Sequence, residues 1–257
     1  MNELIKTGYD MLYLSLCALN DIVPDKERVQ NSNNDLLFKL CQKNSVTSLV
    51  YYALAKIITP EQKWLEANGK AIRKNMLFDL EREKILNFMD ENGIKHMPLK
   101  GIILKELYLK PGMRQMSDND IWYDGSYSKE LKSFMCNLGY TDIVIGKTDQ
   151  DKYKRPPIYN FEMHRELFDI SHESFYSFYK DINRLLIHDK NSKYGCHFGT
   201  EDFYVYLVAH EYKHFSAGGT GIRSIIDCSL SEFIFLRRYS ENSIVAFFAL
   251  GGSFSHN

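Results

Sequence analysis

The hydrophobic period changes twice along the chain, and this limits the fold more than any other feature. Up to Asn92 the apolar residues recur at helical spacing, over Glu3–Asn20, Leu36–Cys41 and Val46–Ile58, then from Pro60 through Trp64, Ile72, Leu80, Ile85 and Met89. Pro60 suits a first helical turn and Asn92-Gly93 suits an end, with a break expected near Asn68-Gly69. Between Ile94 and His164 the runs shorten. Strands are expected over Ile94–Leu99, Asp118–Tyr123, Thr141–Ile145 and Ile158–His164, and helices over Gly101–Tyr108 and Lys129–Leu138. Pro111-Gly112 reads as a turn and Asp149–Pro157 as a polar, charged loop. From Glu173 the pattern is helical again, clearest over Phe203–Phe215 and Ile222–Arg238, while the tail Phe248–Asn257 shows no clear period. The fold class is therefore α+β. A small mixed sheet with helices, residues 76–170, is flanked by helical segments over 1–75 and 171–257.

Composition narrows the function. Of 257 residues 44% are hydrophobic, enough for a substantial core, which excludes disorder. Lys and Arg total 32 against 33 Asp and Glu, so a wholesale nucleic-acid coat is disfavoured, though a local basic groove is not. No apolar run reaches the roughly 18 residues of a membrane span. Met11–Leu19 reads as a core helix rather than a signal segment, because Glu3 and Asp10 precede it and no small-residue cleavage site follows. The five scattered cysteines include no C-x-x-C pair and suit reduced thiols in a cytoplasmic protein.

The chemistry concentrates in Ser117-Asp118-Asn119-Asp120. On a strand, Asp118 and Asp120 share a face, and two carboxylates held so close call for a cation, Mg²⁺ or Mn²⁺ by the hardness of the ligands. A polar turn is the plainer alternative for these four residues alone. In Ile158–His164 the side chains of Tyr159, Phe161 and Met163 take one face, and Asn160, Glu162 and His164 the other. If the two strands are neighbours, Glu162 becomes a third carboxylate, and three could hold two metal ions about 4 Å apart. Upstream, Gly101 sits where a strand passes into a helix, a place where backbone can approach a phosphate. Lys100 and Arg114 could add charge there.

The order Leu99-Lys100-Gly101, Tyr108, Pro111, Arg114, Ser117-Asp118-x-Asp120 and Glu162-x-His164 resembles the nucleotidyltransferase fold of the DNA polymerase β superfamily. The nearest pattern is that of its uncharacterised bacterial nucleotidyltransferases, whose H…H…R…D segment is similar to His210, His214, Arg223 and Asp227. Two departures stand out. Asn119 replaces a usual apolar residue, and Lys100-Gly101 replaces the commoner Gly-Ser or Gly-Gly, so a serine contact to phosphate is missing. The resemblance implies metal-dependent transfer of a nucleoside monophosphate from an NTP to an unidentified acceptor, with release of pyrophosphate. In that scheme Asp118 and Asp120 hold Mg²⁺ (or Mn²⁺), and Glu162 joins them on the metal or acts as general base on the acceptor hydroxyl. Lys100, Gly101 and Arg114 contact phosphates, Ser117 braces the strand, and His164, His210, His214 and Arg223 line the cleft or meet the acceptor. The acceptor could be a small molecule, an RNA end or a protein.

Two other classes stay open on the sequence. His210-Glu211-x-x-His214 spells the zinc-peptidase string H-E-x-x-H on an expected helix, with Asp227, Glu232 or His256 as a third ligand. The chain could also be a nucleotide-binding regulatory protein without catalysis.

Overall fold

In a computed structural model of the chain, residues 2–146 and 149–239 are described, with only the backbone of residues 142 and 233–239. The Lys147–Thr148 pair and the Phe248–Asn257 tail lie outside them. The chain divides into two compact units, Met1–His197 and Phe198–Asn257.

The first unit opens with α1 (Glu3–Leu19), α2 (Lys26–Gln30), α3 (Asn34–Lys43) and α4 (Thr47–Leu54). Asn2, Asp25 and Asn33 cap the first three by accepting from backbone N–H groups. Leu14, Leu37, Cys41, Leu49, Val50 and Trp64 are buried here. The long α5 (Gln62–Glu91) follows and runs unbroken through Asn68-Gly69, contrary to the sequence expectation. The reason is tertiary: Asn68 is buried and accepts a 2.6 Å hydrogen bond from Ser48 Oγ, and Gly69 leaves no turn to make. Gly93, at φ +74°, ends the helical path as expected.

A five-stranded sheet forms next, in the order β1-β2-β5-β4-β3. Its strands are β1 (His96–Pro98), β2 (Asn119–Tyr123), β3 (Asp142–Val144), β4 (Gln150–Arg155) and β5 (Tyr159–His164). Only β2 and β5 run parallel; the other neighbours are antiparallel. The short α6 (Gly101–Leu104) follows β1, and α7 (Ser128–Asn137) follows β2. Phe78, Ile85 and Met89 of α5 and Leu131 and Met135 of α7 pack with Ile121, Tyr153, Phe161 and Met163, so one sheet face is the core. The opposite face carries Asp120, Trp122, Glu162 and His164 by strand alternation.

The strand β4 corrects the loop expected over Asp149–Pro157. Its charged residues hid a true alternation: Asp151 and Tyr153 are fully buried, while Lys152 and Lys154 point the other way. Asp151 tolerates burial because Tyr123 Oη and the Gly146 N–H donate to it at 2.8 and 2.9 Å. The unit ends with α8 (Glu173–Tyr179) and β6 (Leu186–His188); β6 pairs with β7 (Cys196–Phe198) in a separate two-stranded sheet. The second unit is built on α9 (Thr200–Gly218) and α10 (Ile222–Tyr239). Among the described residues no helix is long and apolar enough to cross a membrane.

Candidate active site

The parallel pairing of β2 with β5 sets Asp120 opposite Glu162 and Trp122 opposite His164. Segments some 40 positions apart in the chain thereby converge. Carboxylate and imidazole ligand atoms of Asp120, Glu162 and His164 all lie within 4.8 Å of one another, a group that could hold a metal ion. Asp118 stands one residue before β2, half-buried, outside this close trio. His164 takes the place beside Asp120 and Glu162 that spacing assigned to Asp118, because the E-x-H pair rides inside a strand while the first aspartate precedes one.

Asp120 is almost wholly buried. Its Oδ1 accepts from Lys100 Nζ at 2.7 Å and pairs with His164 Nε2 at 2.8 Å. Burial alone would raise its pKa. The charges and hydrogen bonds of Lys100 and His164 outweigh it and hold the carboxyl well below the ordinary 3.8. The other His164 nitrogen, Nδ1, is buried without a hydrogen-bond partner. On the neighbouring strand Lys152 Nζ lies 3.0 Å from Glu162 Oε1. Sequence reasoning missed Lys152, since it sat in an expected loop; the register Lys152↔Glu162 is what reveals it.

The chain enters α6 through Lys100 at φ +45° and ψ −115°. A left-handed backbone costs a non-glycine residue about 1–2 kcal/mol. Leu99 N–H donating to Asp120 C=O at 2.9 Å, and Ile103 and Leu104 N–H donating to Lys100 C=O at 3.0 and 2.9 Å, hold the turn in place. Strain of this kind gathers at functional sites. Gly101 has a tighter reason to be glycine than approach to a phosphate. A Cβ there would sit 2.5 Å from Arg114 Nη1 and 3.1 Å from Met116 Cε. Arg114 is itself buried, its Nη1 3.0 Å from Met116 Sδ, so its guanidinium lies under the Lys100–Gly101 turn. Lys74 Nζ donates to the Ser117 carbonyl at 3.2 Å.

Asn119, the polar departure on the core face, is fully buried. Its Oδ1 accepts from Arg82 Nη1 at 3.0 Å, and Arg82 also grips Asp79 at 2.7 Å. A polar partner from α5 thus keeps the amide inside a true strand.

His210, His214 and Arg223 lie in the second unit, on α9 and α10. The two histidine Nε2 atoms are 3.2 Å apart. Glu211 accepts from Thr220 Oγ1 at 3.0 Å; burial pushes its pKa up, but hydrogen bonds from His210, Ser224 and Thr220 bring it down to about 2.

Residues 30–241 match the family model described as "Uncharacterised nucleotidyltransferase". The chain matches no curated protein. Among solved structures, an antigenic nucleotidyltransferase-like protein from Paracoccidioides brasiliensis is similar at 15% identity, over 66% of this chain and 88% of that one, with a TM-score of 0.34.

Proposed function

We propose, from the premise that this chain belongs to the uncharacterised nucleotidyltransferase family, that it transfers a nucleoside monophosphate from an NTP to an acceptor with the sheet face that carries Asp120 and Glu162 as its active site. The observation that carries this is the parallel register setting Asp120 beside Glu162, with Lys100 Nζ on the aspartate.

The donor set fits a divalent cation. Two carboxylates converge beside the His164 imidazole, and hard oxygen donors of this kind suit Mg²⁺ or Mn²⁺. When bound there, with Asp118 as a further ligand, the metal supplies charge neutralisation for the triphosphate. The protein's own groups do the rest. Lys100 and the buried Arg114 place positive charge around the turn at Gly101, where the phosphates would lie, and Ser117 fixes the entry into β2. Glu162 accepts the proton of the acceptor hydroxyl. The freed oxygen forms its bond to the α-phosphorus as the bond to the β-phosphate breaks, and pyrophosphate leaves with the electron pair. Catalysis of this sort is positioning and electrostatics rather than covalent chemistry. His164 holds Asp120 in place and counts as a positioning residue. His210, His214 and Arg223 belong to the second unit and carry no step of this proposal.

The test is transfer of label from α-labelled NTPs to cell-extract acceptors in the presence of Mg²⁺ or Mn²⁺. Asp120→Asn and Glu162→Gln should each lower transfer at least 100-fold in folded protein. Transfer unaffected by either variant would refute the assignment.

A further inference from the structure

A cavity of about 380 Å³ opens at the carboxyl ends of the two parallel strands, and none of the residues assigned above lines it. Its walls include Trp122, Phe168, Tyr176 and Tyr179, and its charged rim includes Lys95 and Lys180. Trp122 ties the cavity to the proposed active site. It is two residues beyond Asp120 on the same sheet face and lies opposite His164. At about 3.3 Å per residue that separation is about 7 Å along the strand.

The direction matters more than the distance. The strand β1 runs antiparallel to β2, with Met97 opposite Trp122 and the Leu99 N–H bonded to Asp120. The Lys100–Gly101 turn therefore lies at one end of Asp120, and the cavity at the other, beside Lys95 and Asp124. In-line displacement puts the attacking atom and the departing pyrophosphate on opposite sides of the phosphorus. With the phosphates at the Lys100–Gly101 end, the acceptor must enter from the cavity end.

We infer that this cavity is the acceptor site, and that the acceptor is a small planar ring compound bearing a hydroxyl nucleophile and an anionic group. This rests on the nucleotidyltransfer reading. The volume lies at the lower end of the roughly 300–1,000 Å³ range of small-molecule sites, room for one or two rings. Phe168 and Tyr179 pack at 5.2 Å between centroids and with Trp122 and Tyr176 give the walls an aromatic character that planar rings stack against. Lys95 and Lys180 place two ammonium groups on the exposed rim, where an anionic group would meet them, while Arg165 Nε lies 3.4 Å from buried Asp151 and Asp124 accepts from Ser126 N and Oγ at 3.0 and 2.7 Å. The hydroxyl, reaching past Trp122, is the oxygen that bonds to the α-phosphorus, its proton passing to Glu162.

Ligand-observed NMR on the full chain tests this with 4-hydroxybenzoate as probe, tyramine as its cationic counterpart, and α,β-methylene-ATP with Mg²⁺ as a non-reacting nucleotide. The expected result is saturable 4-hydroxybenzoate binding that persists with the nucleotide bound and exceeds tyramine binding at least fivefold. Tyr176→Ala and the rim variant Lys180→Glu should each weaken it at least fivefold while nucleotide affinity stays within twofold. The rim substitution leaves the packed interior intact and keeps the test readable if the tyrosine variant unfolds. Displacement of the ring probe by the nucleotide would give the cavity to the NTP base and overturn the acceptor assignment. Equal tyramine binding would overturn the anionic class, and no ring binding the whole inference. These readouts need no turnover, so nucleotidyl transfer could fail while the cavity stands, or the reverse.

Discussion

Replacing Asp120 by Asn should cost the protein stability even before any substrate is considered. The carboxylate is 7% exposed at its side chain, and Lys100, 12% exposed, has its ammonium 2.7 Å away. The amide would leave a buried cation facing a neutral group. Breaking one partner of a buried pair costs about 3–5 kcal/mol. We take the lower end, about 3 kcal/mol, because the amide oxygen can still accept one hydrogen bond. For a unit of this size 1 kcal/mol moves the melting temperature by about 2–4 °C. Asp120→Asn should therefore melt about 6–12 °C below the parent at neutral pH, measured by circular dichroism without added metal. The pH dependence gives a second check. Asp120 is depressed in the folded state, so its contribution is complete above the unfolded value of 3.8 and is lost as pH falls through its lower folded value. The gap between parent and variant should close only as the solution becomes more acidic than about pH 4. An unchanged or raised melting temperature at pH 7 would show that Lys100 and His164 do not depend on this charge, and the electrostatic account of the site would fall.

The remaining expectations are briefer. Glu162→Gln loses only a pair with Lys152, which is 40% exposed. The melting temperature should move by less than about 4 °C, a pair worth at most about 1 kcal/mol, while label transfer drops at least 100-fold. Lys100→Gly should be more stable than Lys100→Ala by about 1–2 kcal/mol in urea unfolding, since glycine accepts the φ of +45° that alanine does not. Gly101→Ala should raise the NTP KM more than it lowers kcat, because its Cβ would push Arg114 Nη1 from 2.5 Å away; an unchanged KM would separate this glycine from the phosphates. Glu211→Gln should destabilise the second unit at neutral pH, an effect fully present above the ordinary 4.5 and fading as pH falls through about 2.

The parts of this fold legible in the sequence were those with clean periods. Strand alternation in Asn119–Tyr123 and Tyr159–His164 announced which side chains share a face, and the E-x-H spacing placed Glu162 and His164 together. What escaped was whatever depended on a distant partner. The strand β4 looked like a loop because Asp151 is buried only by virtue of Tyr123 and Gly146. Asn68-Gly69 looked like a break because Ser48 was out of view. Nothing local signals that the empty side of Gly101 is filled by Arg114, a residue thirteen positions away. Local pattern reports a residue's face; it does not report who meets it there.

The insertion of β5 between β2 and β4 has a consequence for how the protein can be taken apart. The chain leaves β2, builds α7, β3 and β4, and returns to lay β5 against the strand it left. A polypeptide severed between α7 and β3 would therefore yield one piece holding Asp120 and another holding Glu162 and His164. Neither piece alone owns a complete site, and whatever chemistry the intact chain performs should return only when the two are mixed and the parallel seam re-forms.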